Sequence, residues 1–215
     1  AVLEWIDCNA SLSWAVWTAE LKALAVALSA AQPAMAPLFN LANGVLLTLE
    51  SGSIPEHIQT DVRQTVQAFL VQSGGAHARL AGAALELFPL GARVLTYSYS
   101  SSVLAVLLEA HARRRLSGVF CTEGRPMMEG RHLARALARA GVAVEFGIDA
   151  AISTFAPQAS VVLVGSDSLT EGGVVNKLGT TNLALMSRHA GVPCYVVGDR
   201  QKWLPPAAPP AFGRP

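Results

Sequence analysis

The sequence predicts an α/β protein in two parts: a helical domain over residues 1–89 and a doubly wound parallel-sheet domain over 90–204, with a Pro-rich tail at 205–215. Three observations predict it. Long Ala- and Leu-rich stretches fill the first part. After Pro89, apolar runs of four or five residues alternate with stretches of helical pattern, the signature of βαβ units. Those runs are nearly continuous rather than alternating, as strands buried on both faces must be.

In the first part, residues 11–31 contain no proline or glycine. They predict a helix that Ser11 or Ser13 could cap. Residues 37–50 predict a second helix despite the internal Asn43-Gly44. Ser53-Ile54-Pro55-Glu56 opens a third, with Ser53 as its cap and proline at an early helical position. It runs to residue 72 and stops at Ser73-Gly74-Gly75. A fourth covers residues 76–87.

In the second part, Val94-Leu95-Thr96-Tyr97 is the first strand and residues 101–115 its helix. Gly118-Val119-Phe120-Cys121 is the second strand, followed by a helix over 127–140 with Leu133 and Leu137 on one face. Val142-Ala143-Val144-Glu145-Phe146 is the third strand, with a short helix over 149–155. Val161-Val162-Leu163-Val164 is the fourth, with a helix over 177–190. Pro193-Cys194-Tyr195-Val196-Val197 is the fifth. Crossovers between such strands are right-handed.

Composition narrows the partners. The chain is 52% hydrophobic and 14% charged, so its surface is short of charge, which predicts subunit contacts. A formal net charge of +1 supplies no global basic field for nucleic acid. Arg113-Arg114-Arg115 reads as a solvated helix end, where cations suit the helix dipole. Cys8, Cys121 and Cys194 are far apart in sequence, and an odd count with no paired spacing argues against a disulfide framework or a zinc site, which fits a reducing, cytoplasmic compartment. The five histidines show no metal-ligand spacing, so neither metal nor cofactor is expected. No signal peptide is read at the start. Residues 21–49, the most apolar stretch, are interrupted by Gln32-Pro33, Pro37, Asn40 and Asn43-Gly44. They read as buried helices, with no membrane span.

Open parallel sheets bind ligands beyond the carboxyl ends of their strands, so the residues there are the candidates. After the first strand, Thr96, Ser98, Ser100 and Ser101 supply hydroxyls next to a helix start, whose free N–H groups suit phosphate; simple capping by serine explains one of them equally well. After the second, Arg125 could hold an anion bidentately, with Glu123 orienting it or binding a hydroxyl, and Glu129 follows. A surface turn with a salt bridge is the alternative. After the fourth, Asp167 is either a general acid or base or a cap. Asn176 and Lys177 then open a predicted helix where Lys177 opposes the dipole. Lys177 therefore needs an anionic partner, either a ligand or Asp167.

These segments, in this order, resemble one family. It comprises the alpha, beta and delta regulatory subunits of translation initiation factor 2B, methylthioribose-1-phosphate isomerase and ribose-1,5-bisphosphate isomerase. The resemblance rests on Val94-Leu95-Thr96-Tyr97-Ser98-Tyr99-Ser100-Ser101, Glu123-Gly124-Arg125-Pro126-Met127-Met128-Glu129-Gly130, Gly165-Ser166-Asp167 and Gly173-Val174-Val175-Asn176-Lys177-Leu178-Gly179-Thr180. Gly191-Val192-Pro193 also fits, and the match covers roughly residues 90–200.

The resemblance implies a Rossmann-like second domain, a homodimer through it, and a site for a sugar phosphate or nucleotide. In the isomerases an aspartate and a cysteine carry the aldose-to-ketose conversion. The aspartate matches Asp167. Ser98 stands at the cysteine's position, with Tyr97 and Tyr99 replacing the family's histidine and asparagine. A serine hydroxyl is a far weaker acid than a thiol. The isomerases' arginine-glycine-alanine-proline loop is also absent. The expectation is a phospho-ligand-binding homologue of the initiation-factor subunits without the cysteine chemistry. The alternatives are an isomerase using Asp167 and a structural interaction module.

Overall fold

A computed structural model describes residues 2–51 and 55–205 of the chain. Its helices are α1 (Val2–Cys8), α2 (Trp14–Ala31), α3 (Ala36–Glu50), α4 (Pro55–Ala84), α5 (Ser101–Ala112), α6 (Gly130–Arg139), α7 (Ile152–Phe155) and α8 (Thr180–His189). Its strands are β1 (Ala92–Tyr97), β2 (Leu116–Thr122), β3 (Val144–Gly147), β4 (Val161–Val164), β5 (Ser168–Thr170), β6 (Gly173–Val175) and β7 (Cys194–Val196). The helical N-terminal part and the parallel sheet with flanking helices make an α/β protein, as the sequence predicts. Contacts divide the chain into two compact units, one of residues 1–75, 168–173 and 201–215, the other of residues 76–167 and 174–200.

In the second unit the strand order is β3-β2-β1-β4-β7, all pairs parallel. The chain winds outward from β1 to β3, then returns past β1 to β4. Strand order thus reverses between β1 and β4, where open α/β sheets place their ligand crevice. Alternate residues of each strand feed opposite apolar layers. Val94, Val119 and Cys121 pack with Val103, Leu107, Leu133 and Leu137 from α5 and α6. Leu95, Tyr97 and Phe120 pack with Ile152, Phe155 and Leu183 from α7 and α8. This double burial is why the strands read as continuous apolar runs.

The first unit is built around Trp17, Leu21, Ile58, Val62 and Val66. Here α2 buries only the stripe Trp17, Leu21 and Ala25, and Trp14, Val16 and Val26 stay exposed. By length and composition alone, α2 could cross a membrane. Two later chain segments belong to this unit. Asn40 Nδ2 donates to the carbonyls of Gln201 and Trp203 at 2.8 and 2.9 Å, and Ser168 Oγ accepts from Ala36 N–H at 3.1 Å.

Several elements differ from the sequence reading. The break expected at Ser73-Gly74-Gly75 is absent, and α4 runs through it. Gln201 links this turn: its Nε2 donates to Phe69 O at 2.9 Å and its Oε1 accepts from Ser73 Oγ at 2.7 Å. Such contacts outweigh a helix penalty of about 1 kcal/mol per glycine. The helix expected over 177–190 begins at Thr180, so Lys177 precedes it. Residues 149–151 form a 3₁₀ turn before α7. The β5–β6 hairpin and α1 were not anticipated. The Ser53 cap and the tail beyond Pro205 lie outside the described residues.

Candidate functional site

The crevice forms where the loops after β1, β2 and β3 meet the start of α8. β1 ends at Tyr97, which points into the α7–α8 layer. Its hydroxyl donates to the Leu178 carbonyl. Gly179 caps α8 with φ +105°, and a Cβ there would stand 2.4 Å from the Tyr97 hydroxyl oxygen. Glycine is therefore required on both counts. Burial, then the charges of Asp149 and Glu129, push the Tyr97 pKa up to about 12.

The loop after β2 packs equally tightly. Gly124 has φ +73°, and a Cβ on it would lie 2.9 Å from the Cα of Ser98. Ser98, itself at φ 63°, is only 4% exposed. A Gly124 Cβ would also stand 3.0 Å from the Ser98 hydroxyl oxygen. Ser100 caps α5, accepting from Val103 N–H at 3.3 Å, so the capping reading describes it. Ser101 is exposed and meets His77 Nε2 at 3.2 Å.

The charged groups are paired with one another. Asp149 accepts from the N–H groups of Gly124 and Arg125 at 2.9 and 2.8 Å. Arg125 Nε donates to the buried carboxylate of Glu123 at 2.9 Å, which raises the guanidinium pKa further. Lys177 Nζ donates to both oxygens of Glu129 at 2.7 and 2.8 Å. Glu129, not Asp167, is thus the carboxylate paired with Lys177. Asn176 Nδ2 donates to Thr180 Oγ1 at 3.0 Å and so braces the entry to α8. Asp167 lies at the hairpin start, its N–H bonded to Val175 O at 2.8 Å. Thr96, Thr122 and Ser166 bury hydroxyl oxygens without a partner among the described residues. All three lie at or just past strand carboxyl ends.

A cleft of about 650 Å³ opens between Tyr97, Arg125, Asp149, Ser153 and the first turns of α8, lined there by Gly179, Thr181 and Asn182. Ile152, Leu178 and Met186 supply its apolar wall. Of the candidates read from sequence, only Arg125 lines this cleft. Sequence reasoning missed Asp149, Thr181 and Asn182. The signal for Asp149 was its place just past the third strand. Cys121 points into the α5–α6 layer, donating to Gly130 O at 3.4 Å, and burial pushes its thiol up to about 12.

The family model for the initiation factor 2 subunit family matches residues 6–207. The chain belongs to this family. A translation initiation factor eIF-2B subunit 2-like protein of Pyrococcus horikoshii is 34% identical over 174 residues, 80% of this chain and 60% of that protein. Ribose 1,5-bisphosphate isomerase of Archaeoglobus fulgidus is 29% identical over 187 residues, 86% of this chain and 59% of the isomerase. The chain therefore spans about 60% of the length of the curated relatives it matches. The crystal structure of the Pyrococcus horikoshii translation initiation factor eIF-2B superposes with a TM-score of 0.83 at 29% identity, covering 94% of this chain and 71% of that one. The 5-methylthioribose 1-phosphate isomerase of the same organism has a TM-score of 0.63 at 22% identity, covering 77% of this chain and 49% of that one, a likeness of fold.

Proposed function

We propose that this initiation factor 2 family protein binds a phosphorylated small molecule, a sugar phosphate or nucleotide, at the strand carboxyl ends, without the isomerases' cysteine chemistry. One observation carries this reading: Arg125 and the first turn of α8 line the same cleft. First-turn N–H groups of a helix have no intrahelical acceptor and favour an anion. A guanidinium across from them completes a phosphate clamp. The apolar wall of Ile152, Leu178 and Met186 suits a base or carbon skeleton.

The paired charges shape this proposal. An incoming phosphate competes with Glu123 for Arg125, so selectivity comes from the added donors of α8. The cysteine chemistry has no thiol to use there: Ser98 stands at the cysteine's position, and Cys121 sits in the core with its thiol pKa pushed up by burial. A homodimer through the α/β unit, for which the 81% exposure of Leu178 speaks, and a cytoplasmic location belong to the same reading. Isothermal titration against sugar phosphates and nucleoside monophosphates tests it, and no binding anywhere in that panel refutes it.

The likeness to ribose 1,5-bisphosphate isomerase favours a second reading, an aldose–ketose isomerase using Asp167. It requires turnover of an aldose phosphate that Asp167→Asn abolishes.

A further inference from the structure

β3 is an edge strand of the sheet, and α6 runs beside it. Together they frame a groove of about 460 Å³. It is lined by Arg131, Ala134, Arg135 and Ala138 of α6 and by Val144 and Phe146 of β3. Arg139 continues the arginine row, because residues four apart share a helix face. All three arginines are exposed, and none forms a salt bridge among the described residues. The only carboxylate on α6 or β3 is Glu145, which lies 3.8 Å from Arg93.

The edge itself is open in a defined register. Ala143 O accepts from Val119 N–H and Gly147 O from Glu123 N–H, at 2.8 and 3.1 Å. Residues 143 and 147 therefore turn their peptide groups toward β2. By strand alternation, Val144 and Phe146 turn theirs outward. The two residues whose side chains line the groove thus also carry its free backbone donors and acceptors. Spacing matches as well. Arginines four residues apart on α6 are about 6 Å apart along its axis. Alternate side chains of an extended chain are about 6.6 Å apart.

We propose that this groove is a docking site for an extended acidic segment of a partner protein, which adds a strand to β3 and sets carboxylates at alternate positions against the α6 arginines. Backbone pairing with Val144 and Phe146 supplies a docking mode that a polyphosphate chain cannot use. The residues between the carboxylates turn to the opposite face of the sheet, away from α6. The site is separate from the strand-end cleft, and its fate does not depend on the ligand there.

The probe is a fluorescein-labelled peptide of alternating glutamate and valine, followed by anisotropy. The expected result is saturable binding, weakened at least about tenfold by Arg135→Glu, which sets a like charge against the peptide. Val144→Pro deletes an outward-facing N–H, together with a valine side chain that packs against the core, and is expected to weaken binding to a similar extent. Circular dichroism melts confirm that each variant remains folded, and Phe146→Pro, which deletes the other outward-facing N–H, replaces Val144→Pro if that variant does not fold. Absence of binding overturns the proposal. So does binding that Val144→Pro or its replacement leaves intact, or that an oligothymidylate reproduces, since either marks a charge-only surface. A dimer in sedimentation that these substitutions dissolve also overturns it, because a second copy then occupies the edge.

Discussion

Lys177 Nζ donates to both carboxylate oxygens of Glu129, at 2.7 and 2.8 Å, across a sequence separation of 48 residues. This bond ties the segment before α8 to the residue before α6.

The pair is partly shielded, with side-chain exposures of 19% and 35%. Its worth therefore falls between that of a surface pair and a buried one. Lys177→Met is expected to cost roughly 1–3 kcal/mol, measured by urea denaturation. Combined with Glu129→Gln the loss should be less than additive, the mark of direct coupling.

Glycine positions give opposite predictions in the two units. A Cβ at Gly130 would stand 1.9 Å from the Thr122 carbonyl oxygen, which is held in the sheet. Gly130→Ala should destabilise by about 3 kcal/mol. At Gly74, inside α4, an added Cβ meets nothing within 4 Å. Gly74→Ala should stabilise by roughly 0.5–1 kcal/mol. Thermal or urea denaturation of both variants checks the pair.

Tyr97 gives an alkaline limb to stability. Its folded pKa is pushed up to about 12 from the ordinary tyrosine value of 10.0. Between these values the unfolded chain has released the proton and the folded chain retains it. Stability present below pH 10 is thus lost as pH rises toward 12. Tyr97→Phe should flatten this limb and, through loss of the bond to Leu178 O, cost about 1 kcal/mol at neutral pH. Urea melts from pH 8 upward measure both effects.

Thiol reactivity should separate the three cysteines. Cys8 and Cys194 are exposed, while Cys121 is buried with its pKa near 12. A disulfide reagent should modify Cys121 last, and only as the protein unfolds. Mass mapping of partly modified protein reads the order.

What the sequence revealed follows from how local each signal is. Continuous apolar runs such as Val161-Val162-Leu163-Val164 located the sheet, because double burial demands them. Glu123, Arg125 and Asp167 stood out because strand ends are where such chemistry sits. Asp149 escaped because its role is to accept backbone N–H groups from residues 24 and 25 positions earlier. The partner of Lys177 was misjudged for the same reason. The conflict was visible locally, but its resolution in Glu129 was not. In α4 the local signal misled outright, since the Gln201 contacts that offset Ser73-Gly74-Gly75 come from 128 residues away.

The central claim is that the cleft between Arg125 and the start of α8 reads a phosphate group. Isothermal titration should compare each sugar phosphate and nucleoside monophosphate with its dephosphorylated form, on the natural protein and on Arg125→Gln. The prediction is that a phosphorylated compound binds, that its dephosphorylated form binds at least about tenfold more weakly, and that Arg125→Gln removes most of that difference. Equal binding of the two forms, or a difference untouched by Arg125→Gln, contradicts the account.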